Sequence, residues 1–229
     1  MIQAIPPDSR LEVKFIGNEL EYQRLRTWIR IHSSGFHQPY SPRRVNNVYF
    51  DPHNYASLET SLNGSSERWK VRYRWYGQST LPSPGKLEIK CKRNVYGWKL
   101  SFPANLTIEP TQSQWNHTIH KLTAQLAPAA QLWLHRAPRP LLINRYQREY
   151  FATGDGHVRL TLDTDESVYD QRYGATINVD RPANIPRLII VEVKCSREHR
   201  QQASDIIQTL PLRVSRHSKF VKGVLANRL

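Results

Sequence analysis

The segment from Arg68 to Tyr76 alternates charged and apolar side chains along almost its whole length, and it constrains the fold more than any other part of the chain. Strict alternation is typical of a β-strand, because successive side chains point to opposite faces of a sheet. One face of this strand is therefore a row of cations, which are Arg68, Lys70, Arg72 and Arg74.

A second strand follows after a turn rich in proline and glycine. It reads Leu-Glu-Ile-Lys-Cys-Lys over residues 87–92 and again has its charged side chains on one face, so the two segments predict an antiparallel pair. The same division into an apolar and a charged or polar face recurs at residues 11–15, 158–163 and 191–195.

A charged face can simply be the solvent-exposed side of a half-buried sheet. Its recurrence favours a barrel in which the charged faces line the interior and helices pack outside. Two like charges about 7 Å apart repel by roughly 2 kcal/mol at an effective dielectric near 20. An interior with this many cations needs a counter-ion, and a polyanionic ligand would supply it.

The remaining pattern predicts the other elements, and at 229 residues the chain suits one barrel-sized domain, residues 1–229. Asn18 with Glu21 resembles a capping box that opens a helix, which Gly35 is expected to end. Ser196 is expected to cap a later helix, and Pro128, Pro138 and Pro140 to mark a link between halves. The predicted strands are residues 10–16, 44–50, 68–76, 87–92, 98–102, 142–151, 157–163 and 188–195, and further helices are predicted at 55–62 and 111–126.

The chain carries 33 Lys and Arg against 19 Asp and Glu, a net charge of +14. This favours phosphate-rich partners, whether nucleic acid, an anionic membrane surface or a phosphorylated small molecule, and charge alone does not choose among them. No apolar run resembles a signal peptide or a membrane span, which predicts a cytoplasmic protein. Cys91 and Cys195 fall on the apolar faces of their strands and are expected to be buried free thiols.

The sequence has neither a P-loop nor a Gly-x-Gly-x-x-Gly motif, so phosphates would have to be held by side chains. It also lacks a recognisable Ser or Cys nucleophile and the Cys/His clusters of a zinc site. What remains suits phosphoryl transfer, in which a protein mainly positions the reactants and stabilises negative charge. Arg72 and Arg74 can bind phosphate oxygens with two donors each, whereas Lys90 and Lys99 act as point charges.

Glu12, Glu88 and Glu192 each stand two residues before a lysine. Simple ion pairing with that lysine is the interpretation we favour for Glu12 and Glu88. A divalent ion that bridges a carboxylate and a phosphate is the functional alternative, and we favour it for Glu192.

Several motifs then stand in a recognisable order over nearly the whole chain. They are Arg72-Tyr73-Arg74-Trp75-Tyr76-Gly77, Glu88-Ile89-Lys90, Lys99-Leu100-Ser101-Phe102, Arg148 within Tyr-Gln-Arg-Glu-Tyr-Phe, Glu192-Val193-Lys194 and Ser218-Lys219-Phe220. Together they resemble the VTC domain, the polyphosphate polymerase domain of the vacuolar transporter chaperone complex, within the triphosphate tunnel metalloenzymes. The Arg-x-Arg-Trp-Tyr-Gly motif is the specific part of this resemblance.

The resemblance implies an α+β fold, a closed antiparallel eight-stranded β-barrel that forms a tunnel, with helices packed outside. It implies a metal-dependent polyphosphate polymerase that transfers the γ-phosphate of ATP to a growing polyphosphate chain and releases ADP. The implied catalytic residues are Arg72, Arg74, Lys90, Arg148 and Lys219. The implied phosphate ligands are Lys14, Arg72, Arg74, Lys90, Lys99, Arg148, Arg159, Lys194, Arg216 and Lys219, and Glu192 is the implied ligand of Mn²⁺ or Mg²⁺.

The implied partners are ATP and inorganic polyphosphate, with no nucleic acid. A membrane-associated partner subunit is compatible with the resemblance, although this sequence has neither a membrane segment nor the SPX sensor of the eukaryotic subunits. Glu12-Val13-Lys14 replaces the Glu-x-Glu-x-Lys of the adenylate cyclase and thiamine triphosphatase branch, which favours the polymerase. Arg216 stands where the family pattern has Lys.

Two alternatives remain open. One is a triphosphatase that hydrolyses inorganic triphosphate or nucleotide. The other is a non-catalytic module that binds polyanions or nucleic acid, which the net charge and the interleaved Trp and Tyr residues support.

Overall fold

The alternating segments become strands of one continuous antiparallel sheet in the computed structural model, which describes residues 5–226. The strands are β1 (Arg10–Asn18), β2 (Arg43–Asp51), β3 (Glu67–Tyr76), β4 (Gly85–Arg93), β5 (Tyr96–Ala104), β6 (Arg139–Ala152), β7 (Val158–Asp170), β8 (Leu188–Cys195) and the two-residue β9 (Arg213–Val214). The helices are α1 (Glu19–Ile31), α2 (Ala56–Leu62), α3 (Trp115–Gln125), α4 (Pro128–Arg136), α5 (Arg200–Thr209) and α6 (Lys219–Ala226). A short 3₁₀ turn, Pro110–Gln112, precedes α3.

Strands β1 to β8 close into a barrel. The order is β5-β4-β3-β2-β6-β7-β8-β1, and β1 returns to β5 through Arg10 opposite Gly97. Short β9 lies beside β1 without entering the ring. The predicted closed antiparallel eight-stranded barrel is therefore confirmed. All of the predicted strands are present; β8 has the predicted bounds, β7 continues seven residues past its predicted end, and the others are longer by one to four residues.

The apolar faces of the strands point outward, where the helices cover them. On one side Val71, Tyr73 and Trp75 of β3 are fully buried in a cluster that includes Trp115 of α3 and Leu134 of α4. On the opposite side α1 and α5 cover a second apolar cluster built on β1, β7 and β8. Burial of such a side chain contributes about 1.5–3 kcal/mol, so the outer layer stabilises the barrel and leaves its charged face pointing inward.

Helix α1 begins with the predicted capping box. The Asn18 side chain accepts hydrogen bonds from the backbone N–H of Leu20 and Glu21, and the Glu21 carboxylate accepts one from the backbone N–H of Asn18. The helix ends at Ile31 and not at Gly35, because His32 adopts an extended backbone and its ring accepts a hydrogen bond from Ser34 N–H. A side chain that bonds to nearby backbone competes with the helix in this way.

One other expectation was wrong. Ser196 does not cap α5, since the helix begins at Arg200 after His199, which provides no side-chain cap. The stretch that begins at Pro128 leads from the first five strands to β6, and it contains α4. Pro128 opens α4, where its missing N–H would have had no partner, and Pro140 lies in β6 next to an irregularity at Leu141, a position that tolerates proline.

Helix α6 packs against one end of the barrel. Its Phe220 and Val224 contact an apolar cluster with Tyr49, Leu142 and Val168, which lie near the ends of β2, β6 and β7. This docking places Lys219, the first residue of α6, inside the barrel wall. Cys91 and Cys195 are buried free thiols as predicted. None of the helices in residues 5–226 has the length and apolar character needed to cross a membrane.

Gly85 provides a test of the β3–β4 packing. A Cβ atom there would lie 2.1 Å from the backbone oxygen of Arg74, whereas at Gly97 the nearest atom would be 3.7 Å away. We expect Gly85→Ala to lower the free energy of unfolding by about 1–3 kcal/mol, the usual cost of overpacking. Gly97→Ala is the matched control and should leave it nearly unchanged. Equal denaturation midpoints for the two variants would contradict the packing.

Candidate active site

The barrel encloses a cavity of about 440 Å³ lined by all eight strands and by α6. Because the outward faces are apolar and covered, the charged residues of the alternating pattern have no other direction in which to point. Within residues 5–226, eleven Lys and Arg side chains line the cavity: Arg10, Lys14, Lys70, Arg72, Arg74, Lys90, Lys99, Arg148, Arg159, Lys194 and Lys219.

The structure brings together all but one of the predicted phosphate ligands, and Glu192 lines the same cavity. The exception is Arg216, which is exposed and does not line it. The preceding residues pair along β1, where Ser215 N–H donates to the Lys14 carbonyl, and the chain then turns into α6. That turn buries His217 and Lys219 and leaves the Arg216 side chain outside.

Glu88 organises the first group of cations. Its carboxylate accepts from Arg72 at 2.8 Å and from Lys99 at 2.5 Å, and Arg74 Nε lies 3.8 Å away. Burial alone would raise the pKa of Glu88, but these three cations hold it well below its usual range. The expected pairing of Glu88 with Lys90 is wrong, because the cross-strand neighbour Arg72 is closer than the next residue on the same strand face.

Glu12 and Glu192 form the second group. Lys14 lies 3.4 Å from Glu12 and 3.0 Å from Glu192, and Lys194 lies 3.7 Å and 2.5 Å from the same two carboxylates. Lys90 adds a contact of 3.1 Å to Glu12. Burial opposes the ionised form of both carboxylates, yet the surrounding cations lower both pKa values well below the ordinary range. The predicted pairing of Glu12 with Lys14 is present.

Asp163 holds the third group and was not among the predicted site residues. Arg148 donates to its two oxygens at 2.5 and 2.6 Å, and Lys219 donates at 2.6 Å. Asp163 is buried, which would raise its pKa, but the two cations lower it. Tyr146 lies beside both cations and accepts a hydrogen bond from Arg74 at 3.0 Å, so it joins this group to the first. The inward position of Asp163 in the alternating segment 158–163 was the signal that could have identified it.

A model of the VTC domain matches residues 9–227. The chain belongs to the VTC domain family. No curated protein matches the sequence. Family membership and the charged tunnel together support an activity on polyphosphate or triphosphate.

Several solved structures are similar to this VTC-domain chain at low sequence identity. The PH1819 protein from Pyrococcus horikoshii has 12% identity and a TM-score of 0.46 over 96% of this chain and 99% of that one. A candidate adenylate cyclase from Vibrio parahaemolyticus has 11% identity and a TM-score of 0.49 over 93% and 96%. HpAC1 from Hippeastrum, a candidate adenylyl cyclase with a dominant triphosphatase activity, has 11% identity and a TM-score of 0.49 over 96% of both chains. At these values the activities do not transfer to this chain.

The tunnel of this VTC domain has a surplus of positive charge. Even if Glu88 and Asp163 are counted with the lining residues Asp8, Glu12 and Glu192, the eleven Lys and Arg of the described chain face only five carboxylates. Lys70 is one of the cations without a carboxylate partner. Within residues 5–226 it has no carboxylate within 4 Å, it donates to Ser218 at 3.0 Å, and burial with the nearby Lys14 and Lys90 holds its pKa well below the usual value.

The carboxylates of the tunnel also decide how a metal could bind. Among residues 5–226 no three His, Cys, Asp or Glu side chains are arranged to hold a metal ion by themselves. Glu12 and Glu192 share Lys14 and Lys194 and so lie at one place in the tunnel. Mg²⁺ is usually bound by one or two carboxylates together with substrate phosphates, so these residues fit a divalent ion that phosphate helps to hold.

His217, next to the tunnel, provides a test by pH. It is buried, both ring nitrogens lack a hydrogen-bond partner in the described chain, and burial with Lys219 and Lys14 lowers its pKa from 6.5 to about 4. As the pH falls from 6.5 to 4, the unfolded chain binds a proton that the folded chain does not. Stability is therefore complete above pH 6.5 and falls below it, by up to about 3 kcal/mol.

We expect His217→Leu to remove this part of the pH dependence. Chemical denaturation at several pH values between 4 and 6.5 measures it. His120→Leu is the control, because His120 is exposed in the folded chain. An unchanged slope of stability against pH in His217→Leu would show that the ring does not remain neutral in the folded state.

Proposed function

We propose that this VTC domain is a metal-dependent polyphosphate polymerase. A terminal phosphate oxygen of the polyphosphate chain attacks the γ-phosphorus of ATP, the bond from that phosphorus to the β,γ-bridging oxygen breaks, and ADP leaves. The observation that carries the proposal is the enclosed set of cations contributed by α6 and by every strand of the barrel except β2, which outnumbers the carboxylates beside it. A linear polyanion is the ligand that such an interior accommodates.

The state of the carboxylates favours transfer to phosphate over hydrolysis. Glu12, Glu88, Glu192 and Asp163 are each bound by at least two cations, and each has a lowered pKa. A carboxylate held in this way is a weak general base for removing a proton from water. The terminal oxygen of polyphosphate already carries negative charge and needs no such base, which also agrees with the lack of a protein nucleophile.

The same carboxylates orient the cations that would bind the transferring group. Glu88 holds Arg72, and Asp163 holds Arg148 and Lys219, before any substrate binds. Donors that are already oriented stabilise charge in the transition state without the cost of reorganisation. We therefore assign the catalytic role to Arg72, Arg74, Lys90, Arg148 and Lys219, and phosphate binding also to Lys14, Lys99, Arg159 and Lys194. We add Lys70 to the phosphate ligands because it has no carboxylate nearby.

Glu192 is the proposed protein ligand for Mn²⁺ or Mg²⁺. When bound, the ion would neutralise charge on the phosphate oxygens. Lys14 and Lys194, which now contact Glu192, would then have donors to offer to phosphate. Glu12 lies beside them and is the second carboxylate within reach of the same lysines.

The proposed partners are ATP and inorganic polyphosphate. Nucleic acid is not expected, because the cations lie inside a cavity of about 440 Å³ that a double helix cannot enter. A cytoplasmic location and a membrane-associated partner subunit stay predictions.

Arg74→Ala tests the catalytic assignment. Arg74 is buried and bonds to Asn47 and Tyr146, while Glu88 keeps Arg72 and Lys99 without it. With ATP and Mn²⁺, the wild-type protein should release ADP and form a ladder of polyphosphate chains on a gel. The variant should lose at least about 100-fold in kcat, as expected when a charge-stabilising donor is removed.

Arg24→Ala on the exposed face of α1 is the matched control and should retain activity. Thermal denaturation checks that both variants fold. Wild-type turnover in a folded Arg74→Ala protein would refute the assignment, and release of free phosphate in place of long chains would identify a triphosphatase.

Glu192→Gln tests the metal ligand. The variant keeps the size of the side chain but loses its charge, so we expect a large fall in Mn²⁺-dependent turnover. Binding of inorganic tripolyphosphate without metal should persist, because the lysines around Glu192 remain. Calorimetric titration with and without Mn²⁺ measures this, with the exposed Glu198→Gln as the control. An unchanged response to Mn²⁺ would remove Glu192 from the metal site.

A further inference from the structure

Three tyrosines surround one arginine at the edge of the tunnel. The guanidinium carbon of Arg43 lies 5.0 Å from the ring centre of Tyr40, 5.5 Å from that of Tyr76 and 5.1 Å from that of Tyr150. The rings of Tyr40 and Tyr150 also meet edge to face, with centres 5.8 Å apart. We call Tyr40, Tyr76 and Tyr150 the tyrosine collar.

The collar lies at a mouth of the tunnel, beyond Arg74 and Arg148. Tyr76 follows Arg74 by two residues on the inner face of β3, and Tyr150 follows Arg148 by two on the inner face of β6. Two residues along a strand span about 7 Å. All three collar tyrosines line the cavity, and Arg159, with Tyr40 and Arg10 nearby, lies at the same mouth.

The collar rings are not part of the apolar core. Tyr40 is 57% exposed and Tyr76 is 43% exposed, so both are exposed large hydrophobic residues. Packing does not explain three aromatic rings gathered on a charged cavity. The contact with Arg43 holds the rings in place before a ligand arrives, so stacking on them would cost little conformational entropy.

We propose that the tyrosine collar binds the nucleobase of a nucleoside triphosphate by stacking, while the phosphates extend toward Arg74 and Arg148. This inference rests on the proposed function and adds the site of the base to it. The tunnel cations contact phosphate oxygens only, and tripolyphosphate offers them one more charged oxygen than ATP does. Stacking adds a contact that only the nucleotide has. Since every base offers an aromatic face, the collar binds different purine triphosphates with similar affinity.

The test compares two ligands that differ in the nucleoside. Calorimetric titration of the full chain with ATP and with inorganic tripolyphosphate, each with Mg²⁺, gives both dissociation constants. The double variant Tyr40→Ala/Tyr76→Ala should bind ATP at least about fivefold more weakly, the lower end of the measured effect of removing base stacking. Its affinity for tripolyphosphate should not change. Tyr40→Phe/Tyr76→Phe keeps the rings and should bind ATP as the wild type does.

Tyr173→Ala is the matched control, because Tyr173 is also an exposed tyrosine beside an arginine but does not line the tunnel. The single variant Tyr40→Ala, in a loop, repeats the test without disturbing a strand. Equal loss for both ligands, or no loss for ATP, would overturn the inference. Either of these results, when the wild-type protein binds both ligands, would overturn the collar alone. Wild-type protein that binds neither would refute the proposed function, and the collar with it.

Discussion

Carboxylates inside the barrel hold cations close to one another, and the rest of the structure depends on this. Glu88 joins Arg72 to Lys99, Asp163 joins Arg148 to Lys219, and Glu12 with Glu192 joins Lys14 to Lys194. Without them, each pair of buried cations about 7 Å apart would repel by roughly 2 kcal/mol. The carboxylates reduce this repulsion but do not balance the charge, so the interior remains positive and its donors remain oriented for phosphate.

Burial of the apolar outer faces stabilises a barrel whose interior is charged. Strand β3 contributes Lys70, Arg72 and Arg74 to the tunnel from one face. From its other face it contributes Val71, Tyr73 and Trp75 to the outer core. Shifting β3 by one residue would exchange the two faces, placing the aromatic rings in the tunnel and burying the cations beneath α3 and α4. The register of the barrel and the charge of its interior are therefore fixed by the same alternation. The apolar contacts that stabilise the fold lie outside the barrel, and the side chains proposed to bind phosphate lie inside it.

The alternation is a local property, so it allowed the strands and the inward cations Arg72, Arg74, Lys90 and Lys99 to be predicted. The other phosphate ligands were implied by the resemblance to the VTC domain. Ion-pair partners on neighbouring strands were harder to predict from the sequence. Glu88 was expected to pair with Lys90 on its own strand, yet it binds Arg72 of the neighbouring strand, which only the register reveals. Arg216 lies in a loop whose course depends on how α6 docks, and the sequence does not specify that. The tyrosine collar combines a loop with two strands far apart in the chain.

The central claim is that the positive interior is completed by a polyphosphate chain, and the thermal stability of the protein tests it most directly. A ligand that binds only the folded state stabilises it by about 2.7 kcal/mol at a concentration one hundred times its dissociation constant. We predict that inorganic tripolyphosphate raises the melting temperature well above the value in sulfate at equal ionic strength, since only the longer anion reaches the cations of several strands together. Equal melting temperatures in the two salts would contradict the account.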